Sequence, residues 1–349
     1  YYADIVREKW QLRTLLRACV ETAQKVYEEQ DPAALLAGVQ KVFLEIEGQV
    51  SPGGERPIKT ILCEEVIPRL EAHYTRGKAQ IRGVPTGLEY LDKILGGMGG
   101  EQGNYYVLAA RPNVGKTSLA TQIALQAALD YVWWTEERDP LGDIVMKADP
   151  ATGEKTPVME RRQGISVGIS SLEMRAEALV QKMLFQRGKA DLQRWRTGFA
   201  TEADMGLLVK ATAQIAKSNN IVIDDTPRLA IGALKAKWRR WHRQYGCRLF
   251  ILDYLQLMQA DGRRFRPDRV QELAEVSAEL QALGNELNCP LLVCAQMNRD
   301  YEKDPSRAPR LSDLKDCGAV EQDADVVTFL YEPRLSDRNK EFFEERMQA

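Results

Sequence analysis

No run of about 18 apolar residues occurs in the 349-residue sequence, so a membrane-spanning helix is excluded on length alone. Paired cysteines are missing too. Cys19, Cys63, Cys247, Cys289, Cys294 and Cys317 stand apart, no two in a Cys-x-x-Cys spacing, and only His73 and His242 could add imidazole. That pattern predicts neither a zinc site nor a disulfide framework. Several of these cysteines fall in apolar strand patterns and read as small core residues. A reduced, cytoplasmic setting is the expectation. An excess of positive charge is also lacking: 48 Lys+Arg against 50 Asp+Glu give −2. Nucleic acid could then be bound only through local basic patches. Tyr1-Tyr2-Ala3-Asp4 shows neither Met nor a basic-then-apolar leader. What is present, 44% hydrophobic and 28% charged residues, is ordinary globular composition. The length calls for more than one unit.

Texture divides the chain into three parts. Residues 1–50 read as a helical hairpin: Leu12, Leu16, Cys19, Ala23 and Val26 form one stripe, and Leu35, Leu36, Val39, Val42, Phe43 and Ile46 a second. Residues 51–82 open on Ser51-Pro52-Gly53-Gly54, a linker signal. They continue as a helix whose stripe, Ile58, Ile61, Leu62, Val66 and Leu70, has no partner nearby. Residues 83–349 alternate short branched apolar runs with helical patterns. Strands are expected at Tyr105–Ala110, Ile165–Ser170, Ile221–Asp224, Leu249–Asp253, Leu291–Ala295 and Val326–Tyr331. Helices are expected at Thr117–Leu129, Glu173–Gln186, Ala230–Tyr245 and Val270–Leu287. Runs apolar nearly throughout fit strands buried on both faces, so the expected class is α/β with a mostly parallel sheet.

The segment Ala110-Arg111-Pro112-Asn113-Val114-Gly115-Lys116-Thr117-Ser118 follows a strand pattern and opens a helix. This is the context of a Walker A phosphate loop. Backbone N–H groups of Arg111 through Ser118 would wrap a phosphate at a helix N-terminus. Lys116 would reach the β/γ oxygens, and the Thr117 hydroxyl would ligate Mg²⁺. Alanine replaces the leading Gly of the motif at Ala110, which requires a negative φ there. Leu249-Phe250-Ile251-Leu252-Asp253 is an apolar strand ending in a carboxylate, a Walker B arrangement for the metal. Capping of the following element is the other reading of Asp253. Glu173 follows a strand end and is the candidate general base; Gln296 closes another strand and is the candidate γ-phosphate sensor.

Four further segments carry a family resemblance. Ser171-Leu172-Glu173-Met174, Leu252-Asp253-Tyr254-Leu255-Gln256-Leu257-Met258, Ala295-Gln296-Met297-Asn298-Arg299 and the stretch from Leu311 to Asp325 resemble DnaB-type replicative DNA helicases. Pro85-Thr86-Gly87 with Leu91-Asp92 and Gly96-Gly97 looks like the start of that family's RecA-like domain. Tyr2 to Lys9 is similar to the last hairpin of its N-terminal domain. The resemblance implies a RecA-like ATPase domain over 83–349, after a helical hairpin and a linker helix. It implies an ATP- and Mg²⁺-dependent ring homo-hexamer translocating 5′ to 3′ on single-stranded DNA and unwinding duplex, with a primase and a helicase loader as partners. Residues 55–76 would be the linker helix that docks on a neighbouring subunit.

Departures accompany the resemblance. No Lys-x-Arg finger follows Tyr331, which with the start lacking Met implies a fragment. Lys182 stands where the family tends to have Arg, losing a planar fork. Lys315-Asp316-Cys317-Gly318 replaces Arg-Glu-Ser-Gly. A long excursion from Trp134 to Gly164, an insertion over 135–164, reads as a β-hairpin of Ile144–Ala148 and Thr156–Arg161. A solvated decoration is preferred for it over a partner-binding role. Arg263, Arg264, Arg266 and Arg269 make a local basic loop with Gly262 and Pro267, and the first three are the candidate phosphate-backbone contacts. Lys315, Asp316 and Gly318 are a second candidate, from the resemblance. The denser run Lys235, Lys237, Arg239, Arg240 and Arg243 reads as solvated or intersubunit. Two alternatives stay open: a RecA-like recombinase or repair ATPase forming filaments, and a non-catalytic nucleotide-stabilised scaffold.

Overall fold

The computed structural model describes residues 13, 16, 17, 20, 57–67, 83–99, 104–136, 145–148, 155–261, 269–298, 308–314 and 318–331. The chain divides into two units, Tyr1–Gln80 and Ile81–Ala349. In the first, Arg13, Leu16, Arg17 and Val20 are helical. Helix α1, Ile58–Ile61, runs on into a wider π-wound stretch, Leu62–Val66. Ile58, Leu62, Val66 and Ile67 are exposed there. The rest of the hairpin expected over 1–50 lies outside the described residues, as do the linker signal at Ser51–Gly54 and Leu70.

The second unit is built on a six-stranded sheet. Its strands are β1 (Tyr105–Ala110), β6 (Ser166–Ser171), β7 (Ile221–Asp224), β8 (Cys247–Asp253), β9 (Leu291–Gln296) and β10 (Val326–Leu330), in the order β10-β1-β9-β8-β6-β7. Every pairing in it is parallel. Helices α3 (Lys116–Leu125), α4 (Ala176–Gly188), α6 (Glu202–Ser218), α7 (Ile231–Tyr245) and α8 (Arg269–Leu287) fill the connections. This is the α/β class expected, with the strands within one or two residues of their expected ends.

The two-residue period of a strand sorts the sheet's side chains to opposite faces. Tyr105, Val107 and Ala109 of β1, with Phe250, Leu252, Leu291 and Val293, pack against Trp238 of α7 and Leu280 of α8. Tyr106, Leu108, Ile251, Leu292 and Cys294 face the other way, onto Ile123 of α3 and Leu179 of α4. Both faces are covered, so the apolar runs are continuous rather than alternating. Among the described residues Trp238 is the largest fully buried side chain; it stacks on Phe250 at 4.9 Å and donates to Ser170 Oγ at 3.0 Å.

Among the described residues, four helices had no place in the pattern reading: α2 (Glu89–Leu95), α5 (Leu192–Arg196), α6 and α9 (Gly318–Asp323). Helix α2 is fixed by Asp92, which accepts from Thr86 N and Oγ1, each at 2.7 Å, and from Gly87 N at 3.0 Å. The Pro85-Thr86-Gly87 and Leu91-Asp92 pair is thus one structural turn. Between α3 and β6 the chain makes two antiparallel pairings. Strand β2 (Val132–Glu136) pairs with β5 (Met159–Gln163), and β3 (Met146–Ala148) with β4 (Lys155–Pro157). Val158 breaks the single strand expected over Thr156–Arg161.

Candidate active site

Connections from β1 and β9 leave in opposite directions along the sheet, to β6 and to β10. In an open parallel sheet the crevice at such a switch, beyond the strands' carboxyl ends, is where ligands bind. Every residue of β1 is buried, and Ala110 ends it in ordinary strand geometry, so alanine is accommodated there without strain. The chain then turns sharply. Asn113 has φ 66° and Gly115 φ 109°. The second value lies where an L side chain is strained, so glycine is required. Helix α3 starts at Lys116 with no side chain capping its N-terminus. Its first N–H groups, which have no intrahelical acceptor, are left to an anion. Arg111 bridges outward, donating from Nη1 to Met297 O at 3.5 Å. Ser118 contributes its carbonyl to Gln186 Nε2 at 2.7 Å, which ties α3 to α4.

Thr117 Oγ1 donates to Asp253 Oδ2 at 2.7 Å. Asp253 is 2% exposed, and its Oδ1 is buried with no hydrogen-bond partner. A buried carboxylate oxygen left unpaired is costly. A divalent cation would satisfy it, and a hydroxyl plus a carboxylate is an oxygen donor set suited to Mg²⁺. No cluster of three His, Cys, Asp or Glu suited to a metal exists among the described residues. Mg²⁺ commonly takes its remaining ligands from phosphate and water, so the residues fit that ion. The carboxylate is not a cap: the short turn Leu255–Leu257 after it has no side-chain cap.

Lys116 Nζ rests 4.3 Å from the centroid of the Tyr254 ring. Burial raises the Tyr254 hydroxyl pKa, and the nearby Glu173 and Asp253 charges raise it further. Behind Asp253 the Cys294 thiol is pushed well above its ordinary value by burial first and by Asp253 second, so it stays protonated.

Glu173 reaches the same edge from β6. Ser171 lies in register with Asp253, and Leu172 N donates to Asp253 O at 2.7 Å. Ser171 Oγ donates to Met174 O at 2.8 Å and accepts from Met174 N at 3.2 Å, closing a turn that leaves Glu173 exposed. Helix α4 begins at Ala176, later than the expected start at Glu173, so the carboxylate sits on the turn itself. Lys182 is half-buried on α4. Gln296 ends β9 in register with Ala110. The next residue ties the two loops together, with Met297 N donating to Ala110 O at 3.1 Å.

The fold therefore gathers Lys116, Thr117, Asp253, Glu173 and Gln296 at one end of the sheet. The candidate DNA contacts are less complete. Arg263, Arg264, Arg266, Lys315 and Asp316 lie outside the described residues; Arg269, expected in the same basic loop, instead opens α8 and pairs with Glu272; Gly318 is exposed and opens helix α9 (Gly318–Asp323). Of the basic run on α7, Arg240 and Arg243 are exposed, in line with the solvated reading, and the other three need correction. Lys235 pairs with Glu279, Lys237 with Asp224, and Arg239 with Glu286 in a two-bonded fork of 2.7 Å contacts. These three charges hold α7 to α8 and β7 within the domain, rather than standing solvated or between subunits. Two residues of the site had no role in the sequence reading: Tyr254, under Lys116, and Gln256. The amide of Gln256 accepts from Gln296 N at 3.0 Å and donates to Gln296 O at 3.3 Å.

Comparison with known proteins gives a consistent result. The family model of the DnaB-like helicase C-terminal domain matches residues 83–348. The chain is 35% identical to the replicative DNA helicase DnaC of Bacillus subtilis (strain 168) over 342 residues, covering 98% of this chain and 67% of that protein. It is 34% identical to the replicative DNA helicase DnaB of Geobacillus stearothermophilus, with the same coverage. It thus spans about two thirds of the length of these relatives. Among solved structures, an isolated ATPase domain matches with a TM-score of 0.61 and 27% identity, over 77% of this chain and 83% of that one. A structure of a DnaB-like replicative helicase and its interactions with primase shares the fold with a TM-score of 0.69 at 24% identity, over 97% of this chain and 69% of that one.

Proposed function

The chain belongs to the DnaB-like helicases, and from that premise we propose that it is the motor part of a ring homo-hexamer that hydrolyses ATP with Mg²⁺ to move 5′ to 3′ along single-stranded DNA and open duplex at the fork. The observation that carries the site assignment is the Thr117–Asp253 contact. Residues 136 positions apart meet at 2.7 Å, beside a buried carboxylate oxygen with no partner. In this reading Thr117 and Asp253 would hold the metal, which neutralises charge developing on the phosphates. Lys116 leaves the Tyr254 ring for the β/γ oxygens. The N–H groups of the Arg111–Ser118 turn hold the phosphate chain in place. Glu173, exposed at the crevice, takes the proton of the attacking water. Gln296 reads the γ-phosphate at the end of β9.

Opening DNA costs about 1.4 kcal/mol per base-pair step, which binding of single strands alone cannot sustain in one direction. A cycle of phosphate-dependent states can. The arginine loop (Arg263, Arg264, Arg266) and the Lys315–Gly318 stretch are proposed as the tracks for the phosphate backbone. The domain limits proposed are 1–50, 51–82 and 83–349, with an insertion over 135–164. The exposed Ile58, Leu62 and Val66 suit a helix that docks on a neighbouring subunit. Among the described residues no helix is long and apolar enough to cross a membrane; we place the protein in the cytoplasm, with a primase and a loader as partners. The recombinase and scaffold alternatives find no support in the family match, which is to helicases. The test is turnover of ATP by the intact protein with and without single-stranded DNA, alongside native mass measurement with ATP. Stimulation by DNA and a six-subunit mass are expected; a rate indifferent to DNA contradicts the motor.

A further inference from the structure

We propose that Gln256 is a positioning residue for γ-phosphate sensing: its side-chain amide replaces the strand that β9 lacks beside Gln296, and Arg269 anchors it. The inference rests on Gln296 reading the γ-phosphate, as proposed above. The β8–β9 ladder runs through Phe250↔Leu291 and Ile251↔Leu292 and stops at Leu252↔Val293, because β8 ends at Asp253. On its other flank β9 stays paired with β1 as far as Ala110↔Gln296. A strand residue directs its N–H and C=O to the same side in a parallel ladder. Both groups of Gln296 meet Gln256, whose Oε1 accepts at 3.0 Å and whose Nε2 donates at 3.3 Å. An amide side chain has the same donor and acceptor as a peptide, and here it extends the sheet by one rung.

That rung is itself held. Gln256 lies in the short turn Leu255–Leu257, between the fully buried Leu255 and Met258. Arg269 Nη2 donates to Gln256 O and to Met258 O, each at 2.8 Å, while its Nη1 pairs with Glu272. Glu272 Oε1 in turn accepts from Ala260 N at 3.0 Å. From Gln296 the network continues the other way, through Met297 to the carbonyl of Ala110 and to Arg111 at the root of the phosphate loop. The end of β9 is therefore clamped between the phosphate loop and the first turn of α8. Rigid placement of a sensing group is what lets it distinguish nucleotides that differ by one phosphate.

The test is binding, by the full chain, of a non-hydrolysable ATP analogue and of ADP. Gln256→Leu keeps the bulk and removes both bonds. It is expected to lower the preference for the triphosphate about tenfold while ADP affinity stays within about twofold, the scale of two lost neutral hydrogen bonds. Gln296→Ala should show a similar loss, and the double variant should be no worse than either alone, because the two act as one unit. Should Gln256→Leu fail to fold, Gln256→Glu carries the test: it keeps an acceptor for Gln296 N, loses the donor, and should fall between parent and Gln296→Ala. A parental preference in both Gln256 variants overturns the inference. So do multiplying losses in the double variant, or a parental preference in Gln296→Ala. Turnover that ignores single-stranded DNA would overturn the motor reading, but not this one, which is read from binding alone.

Discussion

Two clusters of charge in the same domain differ in how the fold satisfies them. On α7, Lys235, Lys237 and Arg239 each meet an acid from α8 or β7. At the crevice, Asp253 is buried with one oxygen committed to Thr117 and the other to nothing, while Lys116 rests on an aromatic ring. The first cluster is denser in charge and is satisfied; the second is sparse and is not. What marks a site is polar groups held in place without their partners, not the number of charges. Paired surface charges mainly join elements and contribute little each.

The sharpest way to break this contrast is to remove the parked cation. Lys116→Ala is expected to reduce turnover on the order of 10³–10⁵-fold, the scale of a cation at a transferring phosphate. Steady-state ATPase assays check it, and a loss under about tenfold would place the lysine outside the chemistry. Glu173→Gln should cost roughly 10²–10⁴-fold in turnover with nucleotide affinity kept, as for loss of a general base. Equal losses in binding and turnover would make Glu173 a binding group instead. Asp253→Asn should raise the Mg²⁺ concentration needed for half-maximal rate by about 10–100-fold, the usual range for a changed metal environment.

The satisfied cluster should respond weakly. Arg239→Ala is expected to change stability by less than about 1 kcal/mol in denaturant titration, since Glu286 is partly exposed. It should leave single-strand affinity unchanged; a large loss of DNA binding would return α7 to the nucleic-acid face. The smallest effect concerns acid. Burial alone would raise the Asp224 carboxyl, but hydrogen bonds from Lys237 and Thr226, with the Lys237 charge, outweigh it and hold it below the ordinary 3.8. A depressed folded pKa adds stability that is fully present above the unfolded value and is lost as pH falls through the folded one. Asp224→Asn should thus melt below the parent at neutral pH, with the gap closing only below pH 3.8. A gap that widens in acid would contradict the pairing.

Much of this could be read before any coordinates. The four inner strands were legible because burial on both faces makes their apolar runs continuous; the edge strands β7 and β10 are half-buried and were legible as short branched apolar runs. The phosphate loop and Asp253 were legible because each is a local pattern next to such a strand. Helix α6 was not, although Thr201 and Asp204 form a capping box at its start. Its apolar face is weak: Leu208 and Ala211 are buried, while Met205 and Val209 are exposed. Lys235, Lys237 and Arg239 were misread because their acids lie 13 to 47 positions away, on elements whose adjacency only the fold supplies. Gln256 escaped for the same reason. Its role depends on where one ladder stops and which strand lies alongside, and neither leaves a mark in local spacing.

The most direct test is a crystal structure of the protein with Mg²⁺ and a non-hydrolysable ATP analogue. The account predicts the metal against Asp253 and the Thr117 hydroxyl, Lys116 moved from the Tyr254 ring to the phosphates, and Gln296 facing the terminal phosphate. Nucleotide bound elsewhere, with the Thr117–Asp253 bond and the Lys116–Tyr254 contact intact, would contradict it.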